Sequence, residues 1–220
     1  MKNKIICLAN SQMFNGRCIA GILVQNNFGK LNVILDKVKM PIWVRLTYEE
    51  TGMKGIPWSY AKDIKLFDVI EFDELDKCPS RHQTENVLIR LNSLFVDSHH
   101  KIDEELLKLI ETAEDLVFGN EAGSISDQKI SSFEYSLMLV KPQCIRFEKT
   151  IGWDGKPQAR ATFTYNTYIY DLPITDVEFE KKVVSNEDID TKCNYYFAIS
   201  LGHELNARYY KLIAGVLQLK

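Results

Sequence analysis

The sequence predicts a mainly β protein with minor α content, in which two small five-stranded barrels flank a helix. Short runs rich in β-branched and aromatic residues alternate with turn signals along most of the chain. The last two runs, within residues 195–219, surround a polar break and predict a closing hairpin. The clearest helical pattern lies between two such groups of runs.

The first group contains five predicted strands, over residues 4–9, 17–25, 30–35, 42–47 and 65–72. Asn15-Gly16 and Asn26-Asn27-Phe28-Gly29 supply turn signals between them. Gly21 lies within Ile-Ala-Gly-Ile-Leu, a string that nearly recurs at residues 213–217. We expect a glycine there because a neighbouring backbone approaches too closely for a side chain.

A helix is predicted in the middle of the chain, followed by a linker. Apolar residues share one helical face there: Ile102, Leu106, Ile110, Ala113 and Val117. Asp103 is placed to cap the start and Gly119 to end the helix. Residues 120–132 are small and polar, which predicts a mobile loop or linker. The predicted domains are therefore a first barrel (1–98), an acidic helix and linker (99–131) and a second barrel (132–220).

The second group repeats the inventory of the first. Strands are predicted over residues 133–140, 144–149, 160–165 and 168–172, before the closing hairpin. Asp154-Gly155 predicts a turn, and Thr175 with Glu178 matches the capping box of a short helix that ends near residue 183. Five strands and one helix are the inventory of an OB-fold, a Greek-key barrel. One continuous sandwich is the alternative that this inventory leaves open.

Charge and cysteine content exclude several classes of function. The net charge is −3, and residues 99–131 are the most acidic part, which disfavours tight sequence-independent binding to duplex DNA. The five cysteines are scattered without a Cys-x-x-Cys pair, which indicates a reducing cytoplasm and no zinc site. No apolar run is long enough to span a membrane. Phosphate-cradle and dinucleotide-binding glycine motifs are missing, so we expect no cofactor, no metal and no enzyme activity.

Several short motifs resemble the bacterial dual-OB-containing domain family, in order across nearly the whole chain. They include Lys4-Ile-Ile-Cys-Leu-Ala-Asn-Ser11, Gly16-Arg-Cys-Ile-Ala-Gly21, Trp43-Val-Arg45, Gln83-Thr-Glu-Asn86, Tyr168-Ile-Tyr-Asp-Leu172 and Tyr210-Lys-Leu-Ile-Ala214. The resemblance implies two OB-like barrels and a role in nucleic-acid or nucleotide recognition. It also implies links to bacterial conflict or anti-phage systems, and it brings no catalytic residue.

The segment around Lys54, Trp58, Tyr60 and Lys62 combines lysines and aromatic rings beside Gly55 and Pro57. Single-stranded nucleic acid is bound by this mixture, because rings stack on bases while lysines follow the phosphates. The alternative is an ordinary loop in which Trp58 folds over the mouth of the barrel.

Six further residues are candidates for the same interface. Arg17, Arg45 and Arg160 lie in or beside predicted strands, where they can reach phosphates or form structural ion pairs. Tyr165 can stack on a base or pack across strands. Gln83 and Asn86 can read a base edge or simply cap the next segment.

These observations predict a non-catalytic, cytoplasmic module that recognises single-stranded nucleic acid or a nucleotide, with no membrane partner. The alternative is a protein-interaction subunit of a defence complex. In that case the apolar stripe of the acidic helix docks on a partner encoded nearby instead of on the barrels.

Overall fold

The computed structural model describes residues 2–13, 16–27, 30–49, 55–101 and 104–219. The chain divides into two compact units, Met1–Ile110 and Glu111–Lys220. The predicted turn residues Asn15, Phe28 and Gly29 and the helix cap at Asp103 lie outside the described residues. The described residues are mostly strand with a few short helices, which confirms the mainly β fold. No helix among them is long and apolar enough to cross a membrane.

The first unit contains eight described strands and two helices. Its strands are β1 (Lys2–Met13), β2 (Gly16–Asn27), β3 (Lys30–Val33), β4 (Trp43–Thr47), β5 (Ile56–Pro57), β6 (Asp68–Lys77), β7 (Asn86–Ile89) and β8 (Phe95–His99). Its helices are α1 (Trp58–Ala61) and α2 (Glu104–Ile110), and a single 3₁₀ turn lies at Leu91–Ser93.

Five of these strands close into a barrel. Hydrogen bonding follows the order β1-β2-β4-β7-β6 and returns from β6 to β1. Within this ring only β4 and β7 are parallel, with Arg45 opposite Asn86. Alternate residues of the strands point inward, and Ile19, Val44 and Val87 are buried in one apolar core. This strand order is that of an OB-fold barrel.

The membership of the ring differs from the prediction. The predicted third strand, β3, pairs only with β2 and stands beside the ring. The fifth member of the ring is β7, which lies between β4 and β6. The sequence pattern does not indicate this strand. Its four residues follow a polar run, and so short a stretch gives almost no period-two signal.

Gly21 permits the close packing of β2 on β1, as predicted. A Cβ atom added to Gly21 would lie 1.9 Å from the Ile6 carbonyl oxygen. The facing strand changes register between Cys7 and Ala9, directly opposite this glycine. The approach is between two backbones, so no side-chain rotation can relieve the contact.

Replacing Gly21 with alanine is therefore expected to destabilise the first barrel by about 3 kcal/mol, because a backbone must shift to admit the methyl group. Denaturant unfolding measures this change. Gly123→Ala is the matched control, since its Cβ would meet only Leu172 Cδ2 at an ordinary 3.7 Å. Equal unfolding midpoints for the two variants would contradict the close approach.

The second unit contains seven strands and two short helices. Its strands are β9 (Ser124–Ser126), β10 (Leu137–Val140), β11 (Gln143–Ile151), β12 (Pro157–Tyr165), β13 (Tyr168–Ile174), β14 (Asn194–Leu205) and β15 (Arg208–Leu219). Its helices are α3 (Asp127–Ile130) and α4 (Val177–Val184), and a 3₁₀ turn lies at Val117–Gly119.

The second sheet repeats the strand order of the first. Hydrogen bonding follows β10-β14-β15-β13-β12-β11, with β13 parallel to β15 at Ile174 and Ile213. The two outer strands, β10 and β11, are consecutive in the chain, and Pro142 between them has no N–H to donate. β10 and β11 therefore act as two halves of one first strand, with β10 next to β14 at one end of the sheet and β11 next to β12 at the other. Together the two sheets confirm the predicted pair of OB-like barrels.

The segment between the barrels is less helical than its periodicity predicts. Helix α2 ends at Ile110, well before Gly119. Val117 and Phe118 instead enter the core of the second unit, and β9 and α3 occupy the predicted linker. Tertiary contacts to the second barrel therefore override the local helical pattern.

Lys211 fastens this segment to the second barrel. Its side chain is fully buried in β15, and Nζ donates hydrogen bonds to Val117 O at 2.6 Å, Asn120 O at 2.8 Å and Asn120 Oδ1 at 2.9 Å. The ring centroid of Tyr170 lies 5.3 Å from the same nitrogen. No carboxylate of the described residues forms an ion pair with this ammonium group, and burial lowers the pKa of Lys211 to about 7.

Helix α4 begins as predicted, but with a different cap. Asp176, and not Thr175, accepts hydrogen bonds from Glu178 N and Phe179 N, both at 3.1 Å. Its second oxygen accepts from Val216 N at 2.8 Å. The carboxylate thereby ties the start of the helix to β15.

Candidate nucleic-acid interface

The short helix α1, which lies beside the first residues of β2, carries the exposed aromatic side chains predicted for the interface. Strand β5 pairs with the first residues of β2, Gly16 with Pro57 and Arg17 with Ile56. The two backbones almost touch, because a Cβ at Gly16 would lie 2.3 Å from Ile56 O. Helix α1 follows at once, so the backbone holds it beside Arg17.

The side chains of α1 are presented to solvent. Trp58 is 58% exposed and Tyr60 is 45% exposed, whereas Ala61 is buried and anchors the helix. The Nζ atom of Lys62 lies 5.9 Å from the centroid of the Trp58 ring. We call Trp58, Tyr60, Lys62 and the adjacent Arg17 the α1 surface. Trp58 does not fold over the barrel mouth, and Lys54 lies outside the described residues.

Arg17 remains available for an anionic ligand. Its side chain is partly exposed, and it forms no ion pair with any other residue that the structure describes. A guanidinium group in this state can donate to a phosphate without first breaking an internal bond.

Arg45 has a structural role, which corrects its assignment to the interface. Its side chain is buried, and Nη2 lies 2.9 Å from Glu85 Oε1. Nε donates to the same oxygen at 3.2 Å, and Nη1 lies 3.4 Å from Cys18 Sγ. The guanidinium group is committed to this internal pair and does not face a surface ligand.

Gln83 and Asn86 are also internal, which again corrects the prediction. Gln83 is 2% exposed and Asn86 is fully buried. Gln83 and Ser80 exchange backbone hydrogen bonds across a tight turn, and Asn86 begins β7 beside Arg45. Their side chains approach each other, with 3.5 Å between Asn86 Nδ2 and Gln83 Oε1. These amides hold the loop before β7 and cannot reach a base edge.

The second-barrel candidates are likewise engaged within the protein. Arg160 Nε donates to Asp171 Oδ1 and Nη2 donates to Asp171 O, each at 2.9 Å. Tyr165 is buried, with its hydroxyl oxygen 2.7 Å from Glu114 O, and burial raises its pKa to about 12. Tyr165 is therefore no stacking platform, and Arg160 must release Asp171 before it can bind a phosphate.

Trp153 is an exposed aromatic residue that the sequence analysis missed. It lies in the turn between β11 and β12 and is 93% exposed. The sequence indicated the turn through Asp154-Gly155, and a tryptophan inside so short a turn has little of the protein to pack against. A tryptophan within a predicted tight turn is therefore the sequence signal for this exposed ring.

The apolar stripe behind the protein-interaction alternative is largely internal. Ile110 and Val117 are buried, and Val117 belongs to the core of the second unit. Ile102 lies outside the described residues, and among the other residues of the stripe only Ala113 is exposed. The stripe therefore does not offer a continuous docking surface.

The third and fifth strands of each barrel are parallel: β4 and β7 in the first barrel, and β13 and β15 in the second, where β10 and β11 count as one strand. Two such barrels, the first of which presents aromatic and basic side chains, define a dual OB-fold protein. The chain belongs to the family of the Dual OB-containing domain, whose model matches residues 3–216. A search of curated proteins found no match. Among solved structures, the crystal structure of the tetrameric p202 HIN2 is similar over 100% of this chain and 92% of that chain. Its TM-score of 0.30 and identity of 8% carry no argument about function.

Proposed function

We propose that the protein is a non-catalytic module that binds single-stranded nucleic acid at the α1 surface. The observation that carries this proposal is the exposure of Trp58 and Tyr60 on one backbone-anchored helix beside Lys62. Each ring offers a stacking surface to a base, for about 1–3 kcal/mol. Lys62 and Arg17 supply positive charge for the phosphates.

Unpaired bases suit this surface better than duplex DNA. Stacking on a protein ring needs a base that has left the double helix, whereas the protein's net charge of −3 gives little general attraction for a duplex. A free nucleotide shares the base and the phosphate, and it would engage one ring instead of two.

The position of the surface in the barrel supports the proposal. OB-folds bind oligonucleotides at the face of their second and third strands and at the loops that join strands one and two and strands four and five. Arg17 is the second residue of β2, the second strand of the first barrel, and the pairing of β5 with β2 holds α1 beside it.

The same proposal places the module in the bacterial cytoplasm, within a conflict or anti-phage system. None of the cysteines that the structure describes forms a disulfide, which is in keeping with a reducing compartment. Recognition of a foreign or exposed single strand is a use for which a binding module needs no catalytic group.

Trp58→Ala is expected to weaken oligonucleotide binding by about 5- to 150-fold, because one stacking contact is lost. Fluorescence anisotropy with a labelled oligothymidylate at fixed salt measures the affinity. Phe95→Ala is the matched control, since Phe95 is 46% exposed and has Lys2 Nζ 6.0 Å from its ring centroid. The proposal is wrong if both variants bind as the wild type does.

A further inference from the structure

The turn between β11 and β12 presents a tryptophan with almost its whole surface in solvent. Trp153 is 93% exposed and the neighbouring Ile151 is 67% exposed. No ring of the second unit stacks on Trp153, and no cation lies over it, within residues 111–219, all of which are described. A ligand that covers this ring gains the free energy of removing its apolar surface from water.

The turn holds the ring on a rigid support. Gly152 N donates to Lys156 O at 2.8 Å, and Gly155 N donates to Gly152 O at 3.0 Å. Asp154 Oδ1 accepts from Lys156 N at 3.1 Å, while its Oδ2 lies 3.4 Å from Lys156 Nζ. Binding to a preorganised turn costs less conformational entropy than binding to a mobile loop.

The surroundings favour a nucleic-acid base over a peptide. A ring that is 93% exposed at the tip of a hairpin offers both of its faces to a base, whereas peptide modules bind their ligands in grooves or along sheet edges. Asp154, the only carboxylate of the turn, is held by Lys156. Lys149 on β11 forms no ion pair with a carboxylate of the described residues, and its Nζ donates to Val184 O at 2.9 Å.

We infer that Trp153 is a second stacking contact for single-stranded nucleic acid, carried by the second barrel. The inference rests on the proposed function, but it uses a residue and a barrel that the α1 surface does not include. Each barrel then presents its own exposed indole ring, Trp58 on the first and Trp153 on the second.

Tryptophan fluorescence tests this contact directly, because the chain has only three tryptophans. Trp43→Phe/Trp58→Phe leaves Trp153 as the sole indole, and Trp43→Phe/Trp153→Phe leaves Trp58. An oligothymidylate is expected to quench the emission of Trp153, whereas an abasic strand of equal length and charge leaves it unchanged. In anisotropy titrations Trp153→Ala is expected to weaken binding about 5- to 150-fold. Ile169→Ala is the control, because Ile169 is 71% exposed but cannot stack.

The outcomes separate the inference from the proposed function. If the wild type binds, Trp58→Ala weakens binding and Trp153 stays unquenched, the inference is overturned and the α1 surface stands. If the wild type does not bind oligothymidylate, both fall. Equal quenching by the abasic strand would overturn base stacking at Trp153.

Discussion

Arg45→Ala is expected to lower the free energy of unfolding by about 3–5 kcal/mol. Both charged groups of the Arg45–Glu85 pair are buried, with side chains 8% and 6% exposed. Removing the guanidinium group takes away two hydrogen bonds and the positive charge that lies 2.9 Å from the buried Glu85 carboxylate. Removing one partner of a buried ion pair is among the most destabilising changes that one substitution can make.

Chemical denaturation of the Arg45→Ala variant measures this loss, and Arg160→Ala is its matched control. Arg160 also lies 2.9 Å from a carboxylate, Asp171, but that pair is exposed and is expected to contribute only about 0–1 kcal/mol. The double variant Arg45→Met/Glu85→Gln is expected to recover most of the lost stability, because no buried charge remains. Equal stability of the Arg45→Ala and Arg160→Ala variants would contradict the structural role of Arg45.

The wild type is expected to gain about 2 kcal/mol of stability relative to Lys211→Met as the pH rises from 7 to 9. Burial lowers the pKa of Lys211 to about 7 in the folded protein, against a usual value of 10.5. Between these values the unfolded chain holds a proton that the folded chain has lost. Stability therefore rises with pH by about 1.4 kcal/mol per unit, while below pH 7 both states are protonated and the effect is absent.

Denaturant midpoints of both proteins between pH 6 and pH 9 test this dependence, because methionine does not titrate. Lys149→Met is the control, since Lys149 is exposed and its removal should leave the pH profile of stability unchanged. A constant difference between the wild type and Lys211→Met over this range would contradict the lowered pKa.

The β architecture was largely predictable because period-two patterns and turn residues act locally. The closing hairpin, the Gly21 contact and the capped start of α4 all follow from such signals. β7 was not predictable, because a four-residue strand is defined by its partners β4 and β6 and not by its own pattern. The predicted helix does not continue beyond Ile110 for the same reason. Residues 117–120 are held by Lys211, which lies far away in sequence.

The residues predicted for the interface fall into an exposed group and a buried group. Trp58, Tyr60 and Lys62 lie on a Gly- and Pro-flanked segment, where the surroundings leave side chains exposed. Arg45 and Asn86 lie on barrel strands, and a sequence does not show whether a polar strand residue faces water or an internal partner. Trp153 lies in the turn that Asp154-Gly155 predicts, and a sequence does not show how far a side chain of a turn projects into solvent.

Binding of single strands at the α1 surface rests on two contributions, the stacking of rings on bases and the pairing of positive charges with phosphates. The most direct measurement is an anisotropy titration of an oligothymidylate at several salt concentrations, with wild type, Trp58→Ala and Lys62→Gln. Trp58→Ala is expected to lower affinity without changing the salt dependence, and Lys62→Gln to reduce the slope of log K against log salt by about 0.7. Wild-type binding that neither substitution alters, or no binding at low salt, would contradict the claim.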